Sequence, residues 1–224
     1  DLLQNASNNN TYRPLLLADI AASGANMVRV MLPCYSSADY LTLVHSTAAM
    51  PTTMQDSNVR ASFIAGMDTC MDDLAAFGLK MHACYFWSQA ALSTAFGESN
   101  AVGYGSTSSL TYAYAVSAIQ WFFRRYSSHP AFGVFSLGNE WQTDAAGITN
   151  PTPAQLGAWF SGVAAAGRAI RSDKIITSDL QTPSISIIAG REKIDQFAAR
   201  LLTVTAGLDA INVHVYGNTY NYVG

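Results

Sequence analysis

The feature that most constrains the fold is a regular alternation of strand-like and helix-like segments along the chain. Short runs rich in β-branched and aromatic residues predict buried strands, and the segments between them carry apolar residues at helical spacing. A strand, a helix and a further strand in this order favour right-handed βαβ units around a parallel sheet. The predicted strands are residues 26–32, 79–84, 132–140, 174–178 and 210–216.

Local signals mark where the predicted helices begin and end. Gly24 and Gly78 each follow a helical pattern and are typical C-terminal stops. Thr152 and Gln155 form a capping box with Pro153 at the first helical position, which predicts a helix start. A stretch rich in Gly, Ser and Asn predicts a loop over residues 98–109. The predicted helices are residues 15–22, 63–77, 111–126, one that begins after 152, and 192–206.

Two parallel architectures fit this alternation, a doubly wound sheet and a (β/α)8 barrel. None of the predicted strands is followed by the glycine-rich turn that a doubly wound sheet usually carries after its first strand. Polar and aromatic side chains instead collect just past the strand ends, where a barrel assembles its active site. We therefore predict an α/β fold of the (β/α)8 TIM-barrel type. These side chains are Arg29, Tyr35, His82, Trp87, Asn139, Glu140, Trp141, His214 and Tyr216.

The strand count predicts an incomplete barrel. A complete barrel has eight strands in about 250 residues, whereas five are found in these 224 residues. We expect the five to correspond to the second through sixth barrel strands. Residues 1–224 would then form a single barrel domain that is truncated at both ends, an internal piece of a longer enzyme.

Composition excludes several classes of function. Only 12% of residues are charged, the formal net charge is −3 and no Lys/Arg run occurs, so we expect no nucleic-acid partner. No apolar stretch approaches the ~18 residues of a membrane span. The four histidines are scattered, the three cysteines lack metal-ligand spacing, and no nucleotide-binding loop occurs, so we expect no metal and no cofactor. Cys34 and Cys84 could be bridged or remain free thiols, and the oligomeric state stays open.

Glu140 is the best single candidate for a working acid. It ends the apolar run that begins at Phe132, directly after Asn139. A carboxylate at the end of a buried strand is costly unless it is paired or used. The carboxyl ends of parallel strands are also where catalytic groups lie. The alternative is that Glu140 only begins a solvated loop.

Three strand ends resemble motifs of clan A glycoside hydrolases. Residues 24–30, Gly-Ala-Asn-Met-Val-Arg-Val, resemble the second-strand motif of that clan. Residues 136–140, Ser-Leu-Gly-Asn-Glu, are similar to its fourth-strand Asn-Glu motif, and residues 212–216, Asn-Val-His-Val-Tyr, to its sixth-strand His-x-Tyr. The resemblance covers about residues 15–216. It is closest to the cellulase-like family 5, although Ser-Leu-Gly-Asn-Glu also occurs in the β-galactosidase-like family 2.

The resemblance implies a retaining glycoside hydrolase, cellulase- or mannanase-like, that degrades a β-linked oligo- or polysaccharide. Glu140 would be its general acid/base, Asn139 would bind the sugar 2-hydroxyl, and Arg29 would orient the nucleophile. The nucleophile itself would lie at the end of a seventh strand, which these 224 residues do not include, so we expect no turnover by them alone. A polysaccharide-degrading enzyme is expected to be secreted or extracytoplasmic. Further substrate-binding residues would be His82, His214, Tyr216, Trp87 and Trp141.

Each supporting residue has a structural alternative. Arg29 could form a structural ion pair, and His82 could be a core histidine. Trp87 and Trp141 could stack on sugar faces or wedge loops against the barrel. The alternative for the whole chain is a carbohydrate-binding barrel without catalysis. The identity of the polysaccharide, and endo or exo action, do not follow from these motifs.

Overall fold

The structure, a computed structural model, describes residues 12–32, 51–86, 88–181 and 194–214. Its centre is a four-stranded parallel sheet in which neighbours in sequence are also neighbours in space. This order is the one that consecutive βαβ units produce, and it confirms the predicted parallel architecture. The strands are β1 (Met27–Met31), β2 (Lys80–Cys84), β3 (Phe132–Ser136) and β4 (Ile175–Thr177).

Two further strands form a second, two-stranded parallel sheet, and one of them follows β4 directly in the chain. The strand in this region is interrupted at Ser178. Residues 175–177, within the predicted strand 174–178, pair with β3, and residues 179–181 pair with the last strand. The chain after β3 still follows this interrupted strand, because Leu137 donates its N–H to the Thr177 carbonyl at 2.9 Å. All five predicted strand positions are therefore present. The strands of the second sheet are β5 (Asp179–Gln181), which was not predicted, and β6 (Asn212–His214), which lies within the predicted strand 210–216.

Helices connect the strands where the sequence predicts them. The predicted capping box is present, since the Gln155 N–H donates to the Thr152 hydroxyl at 3.3 Å and the Gln155 side chain accepts from the Thr152 N–H at 2.9 Å. The helices are α1 (Tyr12–Ala22), α2 (Ala61–Ala76), α3 (Gln89–Ala95), α4 (Asn100–Gly103), α5 (Leu110–Tyr126), α6 (Pro153–Arg168) and α7 (Ile194–Thr205), with a 3₁₀ turn at Asp56–Asn58.

The connection between β2 and α5 differs from the prediction. The predicted loop at 98–109 contains the short helix α4, and α3 precedes it. Both helices begin directly after a serine whose hydroxyl accepts a backbone N–H of the first turn, at 3.4 Å for Ser88 and Ala91 and at 3.3 Å for Ser99 and Val102. Serine is a favoured N-cap, and the cap at Ser99 starts a helix inside the stretch whose glycines suggested a loop.

The core lies between the sheet and the helices that pack on it. Phe135 of β3 is fully buried, and its ring lies 5.2 Å from that of Phe122 and 5.5 Å from that of Phe123 on α5. Tyr85, just after β2, stacks on the same phenylalanine at 5.6 Å. These aromatic contacts press α5 against β2 and β3 and so hold the strand ends in place. Among the described helices, none combines the length and apolar character needed to cross a bilayer.

Candidate active site

A sharp turn after β3 carries the predicted acid. Gly138 has a φ of +152° and Glu140 a φ of +50°. Among the described residues, Glu140 is the only one with a positive φ that is not a glycine. A Cβ on Gly138 would lie 2.5 Å from the Phe86 carbonyl oxygen and 2.6 Å from the Trp141 indole nitrogen. The turn therefore requires glycine at 138 for two reasons, backbone conformation and space. Its strained backbone is of the kind that occurs at functional sites.

The turn brings Glu140 to the end of β6. The Glu140 carboxylate oxygen Oε1 lies 2.9 Å from Nδ1 of His214. The side chains are 26% and 19% exposed, so both are reachable from solvent. A hydrogen bond between a carboxyl group and an imidazole can hold a proton on either partner. This pair is therefore equipped to give and to take a proton at one place.

A buried carboxylate, Asp179, lies at the centre of the neighbouring cluster. Its side chain is 0% exposed and forms an ion pair with the Arg29 guanidinium. It also accepts hydrogen bonds from the Ser136 hydroxyl at 3.1 Å and from the Asn212 side-chain amide. Sequence interpretation left Asp179 out because it matches no motif. The available signal was the one used for Glu140, a carboxylate just past a buried strand.

Arg29 links Asp179 to the turn. Its Nη2 donates both to Asp179 and to the Asn139 side-chain oxygen Oδ1, the latter at 2.8 Å. The same nitrogen lies 3.6 Å from the Cys84 sulfur. Arg29 therefore forms an ion pair, which was the structural alternative to its predicted role. The pair nevertheless lies beside the turn that carries Asn139 and Glu140. Its role toward a nucleophile remains a prediction.

His82 lies in the same cluster, with Nε2 3.9 Å from Asp179 Oδ1. Strand register explains this, because His82 on β2 is directly opposite Arg29 on β1. Burial lowers the pKa of His82, and the nearby Asp179 charge only partly opposes that effect. The lowered pKa favours the neutral form of His82. Its position fits both a core histidine and a substrate-binding residue, since the side chain is only 13% exposed and lies beside Asp179.

Gln89, at the start of α3, also holds the turn, and sequence interpretation missed it. Its side-chain amide donates to the Asn139 backbone carbonyl. The backbone carbonyl of Gln89 accepts a hydrogen bond from the Tyr104 hydroxyl at 2.7 Å. The start of α3 is therefore attached to the Asn139 turn by a hydrogen bond.

The Trp141 ring is packed inside the protein. The residue is 2% exposed, and its indole contacts Tyr104 at 4.8 Å, Phe160 at 5.1 Å and Trp159 at 5.5 Å between ring centroids. A ring enclosed on these sides has no face open to a sugar. The structure thus corrects the stacking prediction for Trp141 and shows the alternative, a wedge between the turn and α6.

Other predicted residues fall outside the described chain. They are Trp87, Tyr216 and Tyr35, whose roles stay predictions, and Cys34. Cys84 is a buried free thiol whose pKa burial raises to about 12. Within the described ranges, no group of three or more His, Cys, Asp or Glu residues is arranged to hold a metal ion.

No protein-family model matches the chain, and no curated protein matches it in sequence. Solved structures match it in fold. A β-1,4-mannanase from the sea hare Aplysia kurodai has a TM-score of 0.63 and 11% identity, over 96% of this chain and 67% of its own. A β-mannanase from the blue mussel Mytilus edulis has a TM-score of 0.59 and 13% identity, over 93% of this chain and 64% of its own.

A third similar structure is a glycoside hydrolase of family 5, subfamily 18, from Streptomyces cattleya. It has a TM-score of 0.55 and 15% identity, over 75% of this chain and 39% of its own. This chain therefore spans 39 to 67% of the length of these three proteins. At such low identity the likeness shows a shared fold. It confirms the incomplete TIM barrel and, at the level of the fold, the resemblance to family 5 glycoside hydrolases.

Proposed function

We propose that this chain belongs to a glycoside hydrolase that cleaves O-glycosidic bonds in a β-linked oligo- or polysaccharide by the retaining mechanism. The observation that carries the proposal is the contact between Glu140 and His214 at a strand end, beside the Arg29–Asn139 hydrogen bond. Glu140 is the general acid/base of this proposal. Residues 1–224 would form one barrel domain with the carbohydrate as its partner, outside the cytoplasm.

The geometry supports both halves of the acid's task. A leaving alkoxide needs a proton as the glycosidic bond breaks, and the same group must later remove a proton from water. Glu140 is partly exposed and can therefore meet a substrate oxygen, while His214 offers a second proton site at 2.9 Å. Asn139 has its side-chain oxygen engaged by Arg29, which leaves its NH2 group as the donor for a sugar hydroxyl.

A retaining mechanism also needs a nucleophilic carboxylate about 5–5.5 Å from the acid. Asp179 does not suit this role, because it is fully buried and its oxygens already accept from Arg29, Ser136 and Asn212. We therefore place the nucleophile on the strand that would follow β6, as the resemblance implies. The names of the similar structures make β-mannans the first substrates to test and β-glucans the second.

The test uses a small external nucleophile in place of the carboxylate. The 224-residue protein is incubated with phenyl and dinitrophenyl β-mannobiosides or β-cellobiosides, with and without sodium azide. Azide attacks the anomeric carbon as the aryl–oxygen group departs, giving an α-glycosyl azide and a phenol. We expect product only with azide. Glu140→Gln should lower the reaction rate of the phenyl substrate by about 10²–10⁴-fold, the usual contribution of general acid catalysis. The rate of the dinitrophenyl substrate should fall far less, because dinitrophenolate leaves without a proton.

The matched control is Glu98→Gln. The Glu98 carboxylate accepts the backbone N–H groups of Leu110 and Thr111, at 2.9 and 3.0 Å, and so stabilises the start of α5. This substitution should lower stability and leave the ratio of the two substrate rates unchanged. An equal loss on both substrates with Glu140→Gln would contradict its role as the acid, and hydrolysis without azide would contradict the proposed place of the nucleophile. Binding of the oligosaccharides with no azide product would favour a non-catalytic carbohydrate-binding barrel.

A further inference from the structure

Asp179 is the most deeply buried charged group near the proposed site. It begins β5, where register places it directly opposite Asn212 on β6, and its side chain is 0% exposed. A buried carboxylate is tolerated when it is paired and its oxygens are hydrogen-bonded. Both conditions are met, because Oδ2 accepts from Arg29 and Ser136 and Oδ1 accepts from Asn212.

These contacts decide what Asp179 can do. Both carboxylate oxygens are engaged within the protein, and no part of the side chain is exposed. The group therefore cannot touch a substrate and can act only through the residues that it holds. Its partners come from three different strands or their ends: β1 supplies Arg29, β3 supplies Ser136 and β6 supplies Asn212.

The Asp179 backbone and Ser136 also bond to the turn at Gly138, but the path from the Asp179 carboxylate to the Asn139 amide passes through one nitrogen of Arg29. Nη2 of Arg29 is shared between Asp179 and Asn139 Oδ1. Because Arg29 has only donors, its contact fixes which end of the Asn139 amide faces it. The oxygen faces Arg29, so the NH2 group is the end that remains for a ligand. Without Asp179, the guanidinium would lose its counter-charge and would be free to turn away from Asn139.

We propose that Asp179 is a positioning residue, which holds Arg29 in place and through it sets the orientation of the Asn139 amide beside Glu140. The value of this orientation for a sugar hydroxyl rests on the proposed function. The orientation itself does not, and it can be measured without any substrate.

The first measurement is made on side-chain nitrogen signals by ¹⁵N NMR of the 224-residue protein. In the wild type, we expect the Nη groups of Arg29 to give separate signals, because pairing hinders their rotation. Asp179→Asn should merge these signals and shift the Asn139 side-chain amide. The matched control is Asp209→Asn, since Asp209 also pairs with an arginine, Arg168 at 2.9 Å, and lies near the opposite end of β4, where it accepts the Ile176 N–H. The control should leave both sets of signals unchanged.

Freely rotating Nη groups in the wild type would overturn the proposal, as would unchanged Asn139 signals in Asp179→Asn. If Asp179→Asn does not fold, Arg29→Lys tests the same path. Lysine keeps the charge but replaces the planar guanidinium, whose Nη2 donates to both Asp179 and Asn139, with a compact ammonium on a flexible stem. The Asn139 amide signals should therefore shift. Unchanged signals in that variant would also overturn the proposal.

The second measurement uses the azide reaction with the dinitrophenyl substrate. A misplaced binding group costs roughly 10²-fold in rate, so Asp179→Asn should lower the azide-dependent rate by about that factor. The double variant with Arg29→Lys should lose little more than the stronger single variant, because both act on one path. Additive losses would overturn the shared path. A wild type without azide product would reject the proposed function, and the NMR result would still decide the positioning role.

Discussion

Gly138→Ala is the substitution whose effect the structure defines most sharply. Gly138 precedes the Asn139–Glu140 pair, and its φ of +152° is one that L side chains rarely adopt. An added Cβ would lie 2.5 Å from the Phe86 carbonyl oxygen and within 3 Å of two Trp141 indole atoms. Neither neighbour can give way easily, because one is backbone and the other is enclosed by aromatic rings.

The expected cost is the sum of two effects. Holding alanine in a sparsely populated backbone region costs about 1–3 kcal/mol. Forcing a methyl group into a closely packed site costs about 1–3 kcal/mol more. We therefore expect the free energy of unfolding to fall by about 2–6 kcal/mol, a large part of the 5–15 kcal/mol typical of a domain.

Gly97→Ala is the matched control. Gly97 also has a positive φ, +70°, but a Cβ there would meet nothing within 4 Å. It should therefore cost only the backbone effect, about 1–2 kcal/mol. The assay is urea denaturation followed by circular dichroism, where a lower midpoint at an unchanged slope reports lost stability. If Gly138→Ala costs no more than Gly97→Ala, the close packing around the turn has been misjudged.

Two further predictions concern single side chains. The Asp144 carboxylate accepts backbone N–H groups, above all that of Asn150, and these hydrogen bonds lower its pKa from 3.8 to about 2. Because the folded pKa lies below the unfolded one, this stabilisation is complete above about pH 4 and is lost as pH falls toward 2. The protection of the Asn150 amide against exchange, measured relative to its intrinsic rate, should therefore fall over that range. Asp144→Asn should remove this pH dependence of the protection. Burial raises the pKa of Cys70 to about 11 and that of Cys84 to about 12. A thiol reagent at pH 8 should therefore label at most one of the three cysteines quickly in the native protein and all three in urea, and rapid labelling of two would contradict the burial.

Much of the fold follows from local sequence. The capping box joins Thr152 and Gln155, which are three residues apart, so its geometry needs no distant partner. The helical spacing of buried residues on α2 and α5 and the apolar run of β3 are likewise properties of continuous segments. Local pattern misled at Ser99, which caps a short helix inside the glycine-rich stretch 98–109 that predicted a loop.

The sequence by itself also determined that Glu140 stands at a strand end after Asn139, since that position follows from the apolar run before it. Only the tertiary structure decided what surrounds the pair. Arg29 and Asp179 are 150 residues apart, and Glu140 and His214 are 74 apart. Which side chains meet over such separations depends on strand register and on how loops pack, and one residue of slip would turn each side chain to the other face. For the same reason the burial of Trp141 came only from the packing of α6 and the segment before α5 against the turn.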